Sequence, residues 1–243
     1  MADRRFRAWG RRGDRAPLRN RGRDANASRR RTRLRACVIS KTAADTALDL
    51  LLAPRCAGCG AAGSWLCLSC RDLCEPVRHG RVTAAGTYGG ALREAIHRFK
   101  YGGERALANE LGTLVASCVA NDLATGIAFD VVVPAVLHRE RARARGYDQA
   151  RLLAAVVAER TALPLRIPLR RIRAASPQVA LDRAARAENL RGAYVAEAGA
   201  LRGARVALVD DVATTGATLA AASGALRAAG ARAVRSYVVA LDA

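Results

Sequence analysis

Four apolar residues, Val206 to Val209, run into two carboxylates, Asp210 and Asp211, and then into a small-residue stretch ending Thr-Thr-Gly-Ala-Thr. A short continuous apolar run marks a strand buried on both faces, and such strands belong to sheets covered by helices on both sides. The turn after it therefore falls at the carboxyl end of a strand, where open α/β sheets bind their ligands. Backbone N–H groups from Ala213 to Thr218 can converge there on one phosphate, helped by the dipole of the helix that follows. Thr214, Thr215 and Thr218 add hydroxyl donors beside Ala217, and Gly216 lets the backbone approach closely. Asp210 and Asp211 repel a phosphate and are placed instead to accept hydrogen bonds from neighbouring sugar hydroxyls. A Walker loop is excluded, because no Gly-Lys-Ser/Thr is present. A metal or phosphotransfer site on the two acids stays open, as does a plain strand–turn–helix whose threonines only cap the helix.

The remaining pattern agrees with an α/β fold, a mostly parallel sheet flanked by helices. Strands are expected over 81–88, 129–134, 205–209 and 234–241, with 163–172 a strand entering a loop. Helices are expected over 91–101, 104–121, 148–160 and 218–229, on the 3.6-residue spacing of their apolar positions. Residues 174–192 are polar and Arg-rich, without steady periodicity.

Seven cysteines stand at 37, 56, 59, 67, 70, 74 and 118. Cys56-x-x-Cys59 and Cys67-x-x-Cys70 are two knuckles that suit a tetrahedral thiolate cage for zinc, closed and therefore structural. Cys74 is a possible substitute ligand, and a disulfide framework or redox-active thiols are the competing readings. Cys118, in a helical apolar stretch, reads as a small core residue. His79, His97 and His138 share no ligand spacing and read as solvent-facing.

The net charge is +20, but residues 1–36 hold 14 Arg against 3 Asp and so carry +11 of it. This segment lacks apolar periodicity and bulky residues, so it is expected to be disordered. It is an anion-binding tail able to touch nucleic acid weakly, a solvated arm without a role, or the product of an upstream start codon. Aromatics make up 4% of the chain, which argues against a stacking platform for single strands. No apolar run approaches the ~18 to 20 residues of a membrane helix. No apolar stretch follows the positive charges as a secretory signal requires. A soluble, cytoplasmic protein in a reducing compartment is the expectation, with domains at 1–47 (extension), 48–80 (zinc module) and 81–243.

The loop of 210–218 resembles the motif by which type I phosphoribosyltransferases bind 5-phosphoribosyl pyrophosphate (PRPP). Residues 48–241 resemble the ComF family of competence-associated, phosphoribosyltransferase-like proteins. The resemblance is carried by the cysteine knuckles, Phe99-Lys100-Tyr101-Gly102, Val133-Pro134, Arg145-Gly146-Tyr147-Asp148-Gln149, Arg171-x-Arg173, Gln178, Leu181, Arg186, Asn189 and the phosphate loop. It departs from the family at Asp148, usually Asn, at Val136, where a second Pro is expected, and at Ala175, commonly Thr. The resemblance implies a type I phosphoribosyltransferase fold, with a pyrophosphate-side loop within 134–149 and a closing loop at 173–192. It implies PRPP contacts from Lys100, Arg145 and the 210–218 loop, with Arg173 and Arg186 beside the two aspartates in catalysis. It also implies Mg²⁺ carried with PRPP and an unidentified nitrogen acceptor. An accessory role with proteins of the DNA-uptake machinery is the other function it implies. A glutamine-dependent amidotransferase is not expected, since residues 1–47 leave no room for a glutaminase domain.

Overall fold

The computed structural model describes residues 53–172 and 192–242. The chain divides into residues 1–41 and 42–243, and every described residue lies in the second unit. Behind the cysteine knuckles comes a one-turn helix, α1 (Leu68–Asp72), then strands β1 (Val77–His79) and β2 (Val82–Thr87). Helices α2 (Gly90–Tyr101) and α3 (Leu107–Ala124) lead to β3 (Val131–Pro134), the short α4 (Arg139–Arg145) and α5 (Gln149–Thr161). Strands β4 (Leu169–Arg171) and β5 (Tyr194–Ala196) precede β6 (Arg205–Ala213), α6 (Ala217–Ala228) and β7 (Ala233–Leu241).

The main sheet runs in the order β1-β2-β7-β6-β3 and is parallel except for β1. Its central strands are the apolar runs read from the sequence. Val131 to Pro134 of β3 lie opposite Val206 to Val209 of β6, and Leu165 bridges the outer side of β3 at Val132. Strand alternation splits β6 between two cores. Ala207 and Val209 join the cluster of α2, α3 and α5, with Phe99, Leu111, Val115 and Leu153. Val206 and Leu208 join Leu219 and Leu226 of α6 and the β4–β5 ribbon through Leu169 and Tyr194. Cys118 is buried in the first of these, as its helical position predicted.

Strand β6 does not end at Val209. It continues through both aspartates to Ala213, because its backbone ladder with β7 runs on to Ala213 opposite Leu241. Helix α4 was read only as part of a loop: its sequence RERARAR buries nothing, so no apolar period announces it. Among the described residues no helix is long and apolar enough to cross a membrane.

A polar anchor lies under the sheet. Asp122 of α3 is fully buried and accepts a hydrogen bond from the Tyr237 hydroxyl at 2.6 Å. It also pairs with Arg78 of β1, and Arg235 of β7 approaches to 3.6 Å. Burial and this carboxylate push the Tyr237 phenol well above its ordinary pKa. The anchor ties one helix to an edge strand and a central strand.

Candidate functional site

The site is built at the carboxyl ends of β3 and β6. Adjacent residues of a strand diverge, and the two aspartates take different partners. Asp211 forms an ion pair at 2.9 Å with Lys100, which the last turn of α2 delivers. Asp210 accepts a hydrogen bond from the Asp211 amide at 2.8 Å. Both are buried, at 8% and 9% exposure, yet they stand at a strand end beside an open loop. Burial and the charge of Asp211 hold the Asp210 carboxyl well above the ordinary carboxylate range.

That raised value works against the fold. Where unfolded Asp210 ionises and folded Asp210 does not, the unfolded state is favoured, so the penalty grows as pH rises above about 4. Asp210→Asn keeps an acceptor for the Asp211 amide and removes the penalty. Its thermal midpoint is expected to exceed that of the wild type at pH 7 and to equal it near pH 4. Equal midpoints at both pH values would show that Asp210 carries no such load.

Ala213 closes β6 and is buried, Thr214 is exposed, and Thr215 to Thr218 are half-buried. Gly216 caps α6 with φ of 70°, left-handed backbone that a Cβ would strain. The Ala217 amide meets the Thr215 hydroxyl at 3.4 Å. The other first-turn amides of α6 have no carbonyl within their own helix, as at every helix start. The loop thus presents donors at the strand end, with the two acids just behind them.

The segments of 99–102 and 145–149 meet. The Phe99 and Tyr147 rings pack at 5.7 Å, and the Tyr147 hydroxyl donates to the Phe99 carbonyl. Arg145 stacks 5.0 Å over Tyr101, next to Lys100. Asp148 caps α5 by accepting from the Arg151 amide at 3.2 Å and, with its other oxygen, accepts from the Leu137 amide at 2.9 Å. Burial raises its pKa against those two bonds. Three successive residues after β3 are thereby held by three elements. The Ala135 amide donates to Val209 of β6 at 2.8 Å, and the Val136 carbonyl accepts from the Tyr194 hydroxyl at 3.2 Å. Leu137 is held by α5.

Tyr194 and this clamp were not read from the sequence, because they link residues tens of positions apart with no local pattern. His138 differs from expectation: it is half-buried, with Nδ1 3.7 Å from Glu140. Gln149 is 1% exposed, and neither atom of its amide has a partner among the described residues. Arg173, Arg186, Gln178, Leu181 and Asn189 lie outside the described residues, as does nearly all of 173–192.

The sulfurs of Cys56, Cys59, Cys67 and Cys70 lie within 4.8 Å of one another. A tetrahedron with metal–sulfur bonds of about 2.3 Å has edges of about 3.8 Å, and Cys59 and Cys67 are 3.6 Å apart. Burial opposes ionisation of Cys56, but the amides of Cys67, Cys59 and Gly58 hold its thiol near about 6. Burial and the facing sulfurs push Cys70 up to about 12. Four such groups ionise together only around a cation, and the donor set fits one. Cys74 stands outside the group, its thiol 3.5 Å from the Cys70 carbonyl. The module is seated on α2 and α3. Arg98 reaches the Arg55 carbonyl at 3.2 Å and pairs with Glu104 at 2.7 Å, and Arg71 pairs with Glu110 at 3.1 Å.

No curated protein matches the chain. Among solved structures it is similar to the glutamine PRPP amidotransferase from B. subtilis complexed with ADP and GMP. The identity is 26%, over 54% of this chain and 26% of that one, with a TM-score of 0.36. It is similar to a structure described as the allosteric regulatory enzyme of purine biosynthesis at 25% identity, over 54% and 25% of the two chains, with a TM-score of 0.37. It is also similar to UMP synthase of Leishmania donovani at 22% identity, over 60% and 24%, with a TM-score of 0.35. The chain spans about a quarter of the length of each. Residues 149–243, which carry both aspartates and the threonine loop, match the phosphoribosyl transferase domain, on a mostly parallel, helix-flanked sheet of the kind expected.

Proposed function

We propose that the protein is a PRPP-binding phosphoribosyltransferase of the ComF type, transferring the phosphoribosyl group to a nitrogen acceptor and releasing pyrophosphate. The observation that carries the reading is the order along β6 and α6: two buried acids at a strand end, then a glycine-capped helix start bearing threonine hydroxyls. The amides and hydroxyls of 213–218 would take the 5′-phosphate, and Asp210 and Asp211 the ribose diol. Lys100 already neutralises Asp211 at 2.9 Å, so binding the diol exchanges an ion pair for hydrogen bonds.

Mg²⁺ would arrive on the pyrophosphate oxygens, since this ion prefers substrate phosphates to a protein cage. It would supply charge neutralisation for the leaving group. Arg145, and Arg173 and Arg186 of the proposed closing loop, would add positive charge as pyrophosphate departs from an oxocarbenium-like sugar. The chain needs no covalent nucleophile; positioning and electrostatics suffice. The four cysteines would hold one structural zinc ion.

The test is calorimetry with Mg·PRPP. Micromolar binding, on the order of −8 kcal/mol, is expected for the wild type and no binding for Asp210→Asn/Asp211→Asn. Equal binding by both would remove the proposed ribose contacts, and no binding by the wild type would remove the reading. A second reading is a PRPP-binding accessory protein in DNA uptake that holds PRPP without turnover. It is favoured by Leu68 and Leu73, which the cysteine module exposes at 72% and 79% as a partner surface would. Pyrophosphate release on adding candidate nitrogen acceptors separates the two.

A further inference from the structure

Helix α6 leads from the carboxyl end of β6 back to the amino end of β7. A groove of about 220 Å³ lies between this helix and the first residues of β2 and β7. Leu219, Ala220, Ser223 and Arg227 line it from one face of α6, at the spacing of three and four residues that sets side chains above one another. Val82 of β2 and Val234 and Ser236 of β7 line it from the sheet, and Arg81 stands beside them. Gly216 is the one contact from 210–218 among the described residues, and none comes from 134–149.

Ser223 and Ser236 are 8% and 4% exposed, and neither hydroxyl has a hydrogen-bond partner among the described residues. A buried hydroxyl without a partner is costly, so the groove holds two polar groups that the protein's own packing leaves unsatisfied. No carboxylate lines it, and Arg81 and Arg227 are exposed without an acidic partner among the described residues. Two such guanidiniums beside one recess raise its positive potential and select an anionic group. Their forks match the oxygens of a carboxylate or a phosphate monoester. Val82, Leu219 and Val234 offer the rest of a ligand an apolar wall. Pockets for drug-sized ligands begin at roughly 300 Å³, so the occupant is limited to one ring or a short chain. A long polyanion gains little from two cations around an apolar interior.

We propose that this groove binds a small organic acid, one ring or a short chain bearing a single carboxylate or phosphate. The acid group lies on Arg81 and Arg227, and the body lies against the two serines and the apolar wall. The site does not rest on the function proposed above. Its occupant touches the helix that Gly216 caps, and so stands behind the proposed phosphate loop rather than in it.

The full chain is titrated with benzoate and with phenyl phosphate while NMR follows the backbone amides of Val82, Leu219, Ser223 and Ser236. The wild type is compared with Arg81→Ala/Arg227→Ala and with Ala220→Leu, which adds bulk to the groove and leaves its charge alone. All three substituted residues are exposed, so unchanged melting curves are expected. Saturable shifts are expected in the wild type, about tenfold weaker binding or worse in the double variant, and none in Ala220→Leu. Raising the salt should weaken binding, and benzyl alcohol, a neutral counterpart, should bind about tenfold more weakly than benzoate. Saturating Mg·PRPP should leave the shifts in place. The tighter acid tells whether the ligand is a carboxylate or a phosphate ester. The site is refuted if neither acid moves these signals, if either variant binds like the wild type, if benzyl alcohol matches benzoate, or if Mg·PRPP displaces the acid. Shifts at the same amides on diluting the protein alone also refute it and assign the groove to a second copy of the chain. Should Mg·PRPP itself fail to bind while an acid binds and is lost in the variants, the proposed function falls and this site stands.

Discussion

Asp122→Ala is expected to destabilise the protein by about 3 kcal/mol, the lower end of the loss seen when one member of a buried charged pair is removed. The lower end applies because of what each partner can do afterwards. Arg78 and Arg235 have side chains 53% and 42% exposed, so water can resolvate them. The Tyr237 hydroxyl cannot be rescued in that way: the residue is fully buried and would lose the acceptor it now reaches at 2.6 Å. An orphaned hydroxyl of this kind costs about 1–3 kcal/mol, and the space left by the carboxylate adds to it. Asp122→Asn keeps an acceptor for Tyr237 and gives up only the charge, so its loss should be about half as large. Urea unfolding of the three proteins measures both. Since whole domains hold only about 5–15 kcal/mol, the alanine variant should also unfold visibly earlier on heating. A loss below about 1 kcal/mol would mean that Asp122 is not the anchor its contacts describe.

That anchor marks the boundary of what the sequence makes legible. Apolar runs announced β3, β6 and β7, and 3.6-residue spacing announced α2, α3, α5 and α6, because burial acts on each residue of an element in turn. The strand–acid–acid–threonine order marked the candidate site, because its proposed donors are consecutive along the chain. Pairings across the chain leave no such trace. Lys100 meets Asp211, Asp122 meets Tyr237, and Tyr194 meets Val136 through side chains whose partners depend on the whole sheet being assembled. The end of β6 was misplaced for a related reason: carboxylates suggest a surface loop, whereas the ladder to β7 needs only backbone. Asp148 shows both limits at once. Its position before α5 is a readable cap signal, but the second oxygen's bond to Leu137, which fixes the loop after β3, is visible only in three dimensions.

The cysteine group yields the other large effect. One zinc ion per chain is expected by elemental analysis of protein purified without chelator, and Cys56→Ser should lose it. Cys56 is the most telling ligand to change, because its sulfur also accepts the Cys67 amide at 3.3 Å and so joins the two knuckles. Cys118→Ser is the control: that thiol is buried in the domain core, outside the four-sulfur group. Metal loss should do more than empty a cage. Gly58 packs so close to Ala91 of α2 that a Cβ there would lie 2.4 Å from the alanine's own, and 2.7 Å from the Cys70 sulfur. Cys56, Leu66 and Cys70 share one core with Ile96 and Phe99. Structural zinc in small modules is worth about 10–16 kcal/mol of apparent binding energy, so the metal outweighs the packing and ion pairs that seat the module on α2 and α3. Chelation should therefore release the knuckles from α2, which hydrogen exchange would report as lost protection in residues 55–70, with a weaker effect at α2 and Lys100. Metal retained at full stoichiometry in Cys56→Ser, or knuckles equally protected with and without metal, would show that packing alone holds the module and that the four thiols are not its cage.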